Sequence, residues 1–117
     1  MPQTLYDENE NVIIPCIEIA HSLARQTVGL LGRTSISSTE GLWLEPCNGV
    51  HTIGMRFPID VVYLDKHGCV LSVRKGVIPF HICLPVRSTR AMLELRAGTA
   101  ESCAIQVGKC YHIRENH

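Results

Sequence analysis

Between Pro46 and Asp65 the chain reads PCNGVHTIGMRFPIDVVYLD, which sets a Cys, a His, an Arg and an Asp into an otherwise apolar run. Polar and ionisable groups in such surroundings need partners or a purpose. Cys47 follows a proline and precedes Asn48-Gly49, a turn signal that leaves a thiol more accessible than a strand interior would. With His51 it would supply a nucleophile and its base, the beginnings of a small Cys/His-dependent hydrolase. His51 has the side chain whose reference pKa lies nearest neutrality, so it reads either as a general base or as a donor to a backbone carbonyl at a strand end. Arg56 would clamp a carboxylate or phosphate through two parallel hydrogen bonds, or pair with Asp60 or Glu94 inside the fold. Asp60 reads as an acid or metal ligand, or as a carboxylate bonded to backbone amides at a strand start.

The catalytic candidates are therefore Cys47, His51 and Asp60, and the ligand-binding candidates are His51, Thr52, Arg56, Asp60 and Glu94. No orienting third group is evident from the spacing, and no feature of the sequence depresses the Cys47 thiol pKa. Strand geometry adds a condition. On a regular strand His51, Met55 and Phe57 face one side, and Thr52 and Arg56 the other. Arg56 and Asp60 would lie about 13 Å apart. A shared site for His51, Arg56 and Asp60 thus requires a bend at Gly54 or Pro58.

Six cysteines are present: Cys16, Cys47, Cys69, Cys83, Cys103 and Cys110. Most have apolar neighbours, and no secretory leader precedes them, so they read as free thiols acting as small hydrophobes. No C-x-x-C pair occurs, so no zinc site or other metal is expected. No cofactor is expected either. Gly29-Leu30-Leu31-Gly32 lacks the spacing of a phosphate loop and the Lys-Ser/Thr that follows one. Formal net charge is zero, with the Lys and Arg residues scattered, which argues against nucleic acid as partner. The N-terminal stretch has no basic region, and no window approaches the roughly 20 apolar residues that span a bilayer. The expectation is a soluble, cytoplasmic protein without membrane insertion.

A chain of 117 residues makes about one domain. Thr4–Tyr6 and Val12–Ala20 read as strands around the turn DENEN. Ser22 caps a helix over Leu23–Leu31, stopped by Gly32; Arg25 and Arg33 flank it. Thr34–Gly41 reads as a loop, and Leu42–Leu44, Val50–Phe57 and Ile59–Leu64 as strands. Lys66-His67-Gly68 turns the chain into a strand over Cys69–Arg74. Val77–Val86 is apolar but carries Pro79 and Pro85, so it is loop or edge. Arg90–Arg96 alternates, with Ala91, Leu93 and Leu95 inward and Glu94 on the other face, solvated or, if that face is covered, paired with an Arg. Ala97–Ile105 reads as loop or short helix, and Cys110–Ile113 as the last strand. The fold class is α+β, mainly β: a small partly closed β-barrel or a curved antiparallel sheet with one or two short helices.

Four blocks, AHSLARQTVGLLGR, GLWLEP, HTIGMRFPIDVVYLDKHGCV and AMLELRAG, follow one another in an order and spacing that resemble the DUF192 family of small bacterial and archaeal proteins. The central block is the specific one and resembles a variant subgroup with a PC-x-x-VHT…MRFPID pattern. Where relatives carry Gly-Asp near the end, this chain has Gly108-Lys109. The resemblance implies a single compact, mostly β domain over residues 1–117. It implies no activity.

These features support a binding module that holds an anionic small molecule or a peptide group with Arg56 and with His51 or Thr52. An accessory domain acting through a protein interface is the alternative. It is carried by the proline-broken apolar segment Val77–Val86, which would form an exposed patch. The Cys/His hydrolase is the third reading.

Overall fold

Short apolar runs rich in β-branched and aromatic residues build most of the molecule. The computed structural model describes residues 3–21, 30 and 33–115. The expected helix lies outside these residues except for Leu30, as do Ser22, Arg25 and Gly32. The strands are β1 (Gln3–Asp7), β2 (Val12–Ala20), β3 (Glu40–Leu44), β4 (Val50–His51), β5 (Ile59–Leu64), β6 (Val70–Val77), β7 (Ile82–Cys83), β8 (Ala91–Arg96) and β9 (Tyr111–Glu115), with one short helix, α1 (Thr99–Ser102). Seven strands form one sheet in the order β6-β5-β8-β3-β2-β1-β9, and β4 and β7 form a separate two-stranded ribbon. Every neighbouring pair in the large sheet is antiparallel except β2 and β3, which run parallel.

Alternation sorts the side chains onto two faces. On one face, Leu5, Ile17, Trp43, Val62, Leu93 and Tyr111 belong to a single core to which all seven strands of the large sheet contribute. A sheet whose edge strands share one core must curve around it. Ala100 of α1 and the following Ile105 close its end. On the opposite face Leu42, Leu44, Val61, Tyr63 and Met92 form a second core, joined by Met55 and by Cys83 from the ribbon. The residues of β5 are buried throughout because both faces of this strand are covered.

The sheet is not a closed ladder, but its two edge strands meet at one point. Cys69 and Cys110 form an isolated antiparallel bridge there, joined by a disulfide. Backbone bonds flank it: Val70 N–H to Lys109 O (2.8 Å), Tyr111 N–H to Gly68 O (2.9 Å) and Gly108 N–H to Val70 O (3.0 Å). The Asp65 carboxylate shapes the approach by accepting the His67 and Cys69 N–H groups. These bonds hold the Asp65 carboxyl below its ordinary pKa, the Cys69 N–H contributing most. Gly68 sits at φ +80°, and a Cβ there would lie 2.1 Å from the Tyr111 carbonyl oxygen. No other residue fits.

Several expectations need correction. Cys69 and Cys110 are not free thiols but partners across 41 residues. Gly68 and Val70 flank Cys69, Lys109 and Tyr111 flank Cys110, and both cysteines are half-buried, a context that fits a thiol and a disulfide equally. Cys16 is exposed rather than buried. The strand expected over Val50–Phe57 stops at His51, because the segment after it turns to bond a second loop. The strand expected over Cys69–Arg74 runs instead from Val70 to Val77.

Gly68→Ala should separate the two sheet edges. The clash and the left-handed backbone together are expected to lower unfolding stability by about 2–3 kcal/mol. Urea denaturation of the variant beside the parent chain measures the loss.

Candidate functional site

Thr52 organises the region of the sequence candidates. Its N–H donates to His81 O (2.8 Å), and its carbonyl accepts the N–H groups of Met55 (3.0 Å) and Phe80 (3.1 Å). Its hydroxyl donates to Ile78 O and accepts the His81 N–H, both at 2.8 Å. Thr52 is fully buried. All its polar groups pin the 78–81 loop against the 52–55 turn, so none is left for a ligand. Gly54 at φ +87° makes the bend that a convergent site would require. The bend does not gather the candidates, however. It buries Thr52 and Met55 and leaves His51 and Arg56 exposed, which overrides the strand parity.

Asp60 lies on the inner side of the sheet, fully buried. Its carboxylate accepts three backbone N–H groups, from Gly76 at 2.8 Å and from Gly98 and Ala100 at 3.0 Å. One side chain thereby ties β6 and the start of α1 to β5. Arg56 does not pair with it; no ion pair among the described residues includes Arg56.

Glu94 is the other buried acid. It stands on β8 beside Met92 in sequence and faces the second core, 6% exposed. The face is covered, yet no Arg partners the carboxyl among the described residues. Burial alone raises its pKa from 4.5 to about 7. The Cys47 thiol, half-buried nearby, is raised by burial and then by the Glu94 charge, and burial likewise raises the Cys83 thiol. Cys47 Sγ donates to Gly49 O at 3.4 Å rather than engaging His51. A raised thiol pKa works against a thiolate nucleophile.

The ribbon carries the main surface feature. Val50 pairs with Cys83 and His51 with Ile82. Cys83 points inward, while Ile82 and Leu84 on either side point out, 62% and 68% exposed. Phe80 is 73% exposed, at φ +67°, and Ile53 and Ile78 are exposed beside it. The ribbon is nevertheless well anchored. Tyr63 Oη donates to Leu84 O (2.6 Å), Gly49 N–H to Met92 Sδ (2.8 Å), and Val86 N–H to Asn48 Oδ1 (3.0 Å). Five large apolar side chains therefore stand in water on a fixed support.

The sequence runs that carry this patch hold charge of one sign. Residues 46–59 and 66–93 contain no Asp or Glu, but they contain Arg56, Lys66, Arg74, Lys75, Arg87 and Arg90. Arg90 pairs with Glu45 at 3.3 Å. Arg56, Arg74, Lys75 and Arg87 enter no ion pair among the described residues. A net charge of zero conceals this asymmetry, and the acid-free runs were the signal that could have disclosed it. Among the described residues no group of His, Cys, Asp and Glu is arranged to hold a metal, and no helix is long and apolar enough to cross a membrane.

The model of the DUF192 family, described as uncharacterised, matches residues 5–113. No curated protein matches the chain. A protein of unknown function from Novosphingobium aromaticivorans is similar at 24% identity and a TM-score of 0.80, over 96% of this chain and 84% of that one. A candidate transcription regulator from Sinorhizobium meliloti gives 17% identity and a TM-score of 0.81, over 95% and 91%. A candidate exported protein from Burkholderia pseudomallei gives 12% and 0.54, and this chain spans 24% of its length. At these identities the likenesses show the shared fold.

Two substitutions test the buried acids. Asp60→Ala strands three backbone donors and is expected to destabilise the fold by about 3 kcal/mol or more, read by chemical denaturation. Glu94 sets a pH dependence. Below pH 4.5 the carboxyl is protonated in both folded and unfolded chains; between 4.5 and about 7 only the folded form keeps the proton. Stability contributed by this group is therefore full below that window and is lost as pH rises through it, by on the order of 3 kcal/mol. Glu94→Gln should remove this component, seen as a smaller difference between urea midpoints at pH 5 and pH 8.

Proposed function

The chain belongs to the DUF192 family, and from the geometry of its ribbon we propose that it is a binding module for an acidic, apolar segment of another protein. The observation that carries this reading is the set Ile53, Ile78, Phe80, Ile82 and Leu84, all exposed on the 52–55 turn and the 78–84 segment that Thr52 and the ribbon bind to each other. Clustered apolar surface of this kind is characteristic of interaction sites. Aromatic and aliphatic anchors supply the affinity, and a charged rim guides approach. The acid-free stretches around the ribbon define the partner's chemistry: apolar side chains for the patch, carboxylates for Arg56, Arg87 and the Arg74–Lys75 pair. His51 and Arg56 act at the rim. Thr52 builds the support, Glu94 lies beneath it, and Asp60 serves the inner side of the sheet. The raised Cys47 and Cys83 thiols favour binding over thiol hydrolysis.

The probe is a fluorescein-labelled ten-residue peptide of alternating Leu and Glu, followed by anisotropy. Binding is expected to weaken at least tenfold in a Phe80→Ala, Ile82→Ser double variant, and severalfold in Arg56→Ala or when salt rises from 50 to 500 mM. Equal affinity in the double variant, or for a peptide with Lys in place of Glu, would overturn the reading. So would a dimer in sedimentation that the double variant dissolves, since the patch would then belong to a second copy.

A further inference from the structure

Three of the six cysteines are linked either by a bond or by a shared groove. Cys69 and Cys110 form the disulfide between the sheet edges, and Cys103 is the residue that ends α1. Cys103 and Cys110 line one groove of about 180 Å³, with Asp7, Glu8 and Lys109 around it. Cys69 is not among the residues of that groove. Cys103 is half-buried and holds no strong partner, its nearest acceptor being Ile13 O at 4.0 Å. The backbone between the two thiols is tightly organised. Ile105 N–H bonds Ala100 O (2.8 Å), Ala104 takes φ +53°, and Lys109 Nζ donates back to Ala104 O (3.1 Å). The loop therefore returns on itself and brings its two ends, Cys103 and Cys110, to the same groove.

We propose that Cys69, Cys103 and Cys110 form a thiol–disulfide exchange site, in which Cys103 takes over Cys110 from Cys69. The Cys103 thiol loses its proton to water, and the thiolate attacks Cys110 Sγ. The Cys103–Cys110 bond forms as the Cys69–Cys110 bond breaks. The electron pair leaves on Cys69 Sγ, which takes a proton from water. One disulfide is exchanged for another with no net oxidation or reduction. Attack falls on Cys110 because it is the disulfide sulfur that shares the groove. Before exchange the bond spans 41 residues and joins the two sheet edges. Afterwards it closes only the 103–110 loop, and backbone hydrogen bonds alone hold the edges. The site thus moves a covalent tie on and off the junction of the sheet.

The test uses the intact chain, oxidised with glutathione disulfide, freed of excess reagent, held at a series of pH values, quenched in acid, alkylated and mapped by peptide mass spectrometry. A Cys103–Cys110 linked peptide is expected beside the Cys69–Cys110 one. Its rate of appearance should rise with pH, because the thiolate is the attacking form in disulfide exchange. Cys103→Ser should abolish it. In Cys69→Ser, oxidation should give Cys103–Cys110 directly. A sole Cys69–Cys110 linkage at every pH would overturn the proposal, as would absence of that linkage after oxidation. A glutathione adduct that persists on Cys110 in Cys69→Ser would do so too.

Discussion

A seven-stranded sheet has two edges, and here both belong to one core. That single constraint governs the rest. Edge strands present unpaired backbone groups that invite pairing with other chains. In this molecule the start of β6 meets the start of β9 instead, through three backbone bonds and a disulfide. The meeting depends on the absence of a side chain at Gly68 and on the Asp65 turn that delivers it. The edges are joined at that one point, and α1 with Ile105 covers one end of the inner core. Asp60 performs the companion task from inside, holding α1 to the sheet with a carboxylate whose two oxygens both accept backbone N–H groups.

The outer face follows from the same arrangement. Central strands of a curved sheet still need cover on their convex side, and the ribbon supplies part of it. Its inward residues, Cys83 and Val50, continue the second core, and its outward residues have nowhere to go but water. The exposed apolar cluster is thus a consequence of a covering element with two faces, one of them unmatched within the described residues. Glu94 sits at the seam between the sheet and this cover. Burial, and after it the Glu94 charge, raises the thiol pKa of Cys47 on the ribbon's inner side.

The sheet was legible wherever a short apolar run was bounded by turn residues. Ile59–Leu64, Arg90–Arg96 and the hairpin around DENEN all fall where their patterns put them, because each buries its own apolar residues regardless of remote detail. Family resemblance and fold class were legible for the same reason. Prolines 79 and 85 marked the ribbon as an edge and its neighbours as surface. What the pattern could not show depends on contacts between distant segments. Thr52 looks like a strand residue until the 78–81 loop takes its hydrogen bonds. Glu94 looks solvated until the outer face is covered. Cys69 and Cys110 look like any apolar thiols until the sheet curls. His51 and Arg56 were found as exposed polar groups in an apolar block, but the apolar block itself, rather than a pocket, is what they border.

The pairing of β1 with β9 places Gln3 opposite Glu115. Contacts that distant along a chain form late and slowly, since a long loop must close before any gain appears. Until β9 arrives, β1 has a bare edge and the inner core lacks its final wall. During synthesis, then, β1 waits for residues 111–115 before this sheet can be completed. Through that interval the incomplete sheet is the species most exposed to misassociation.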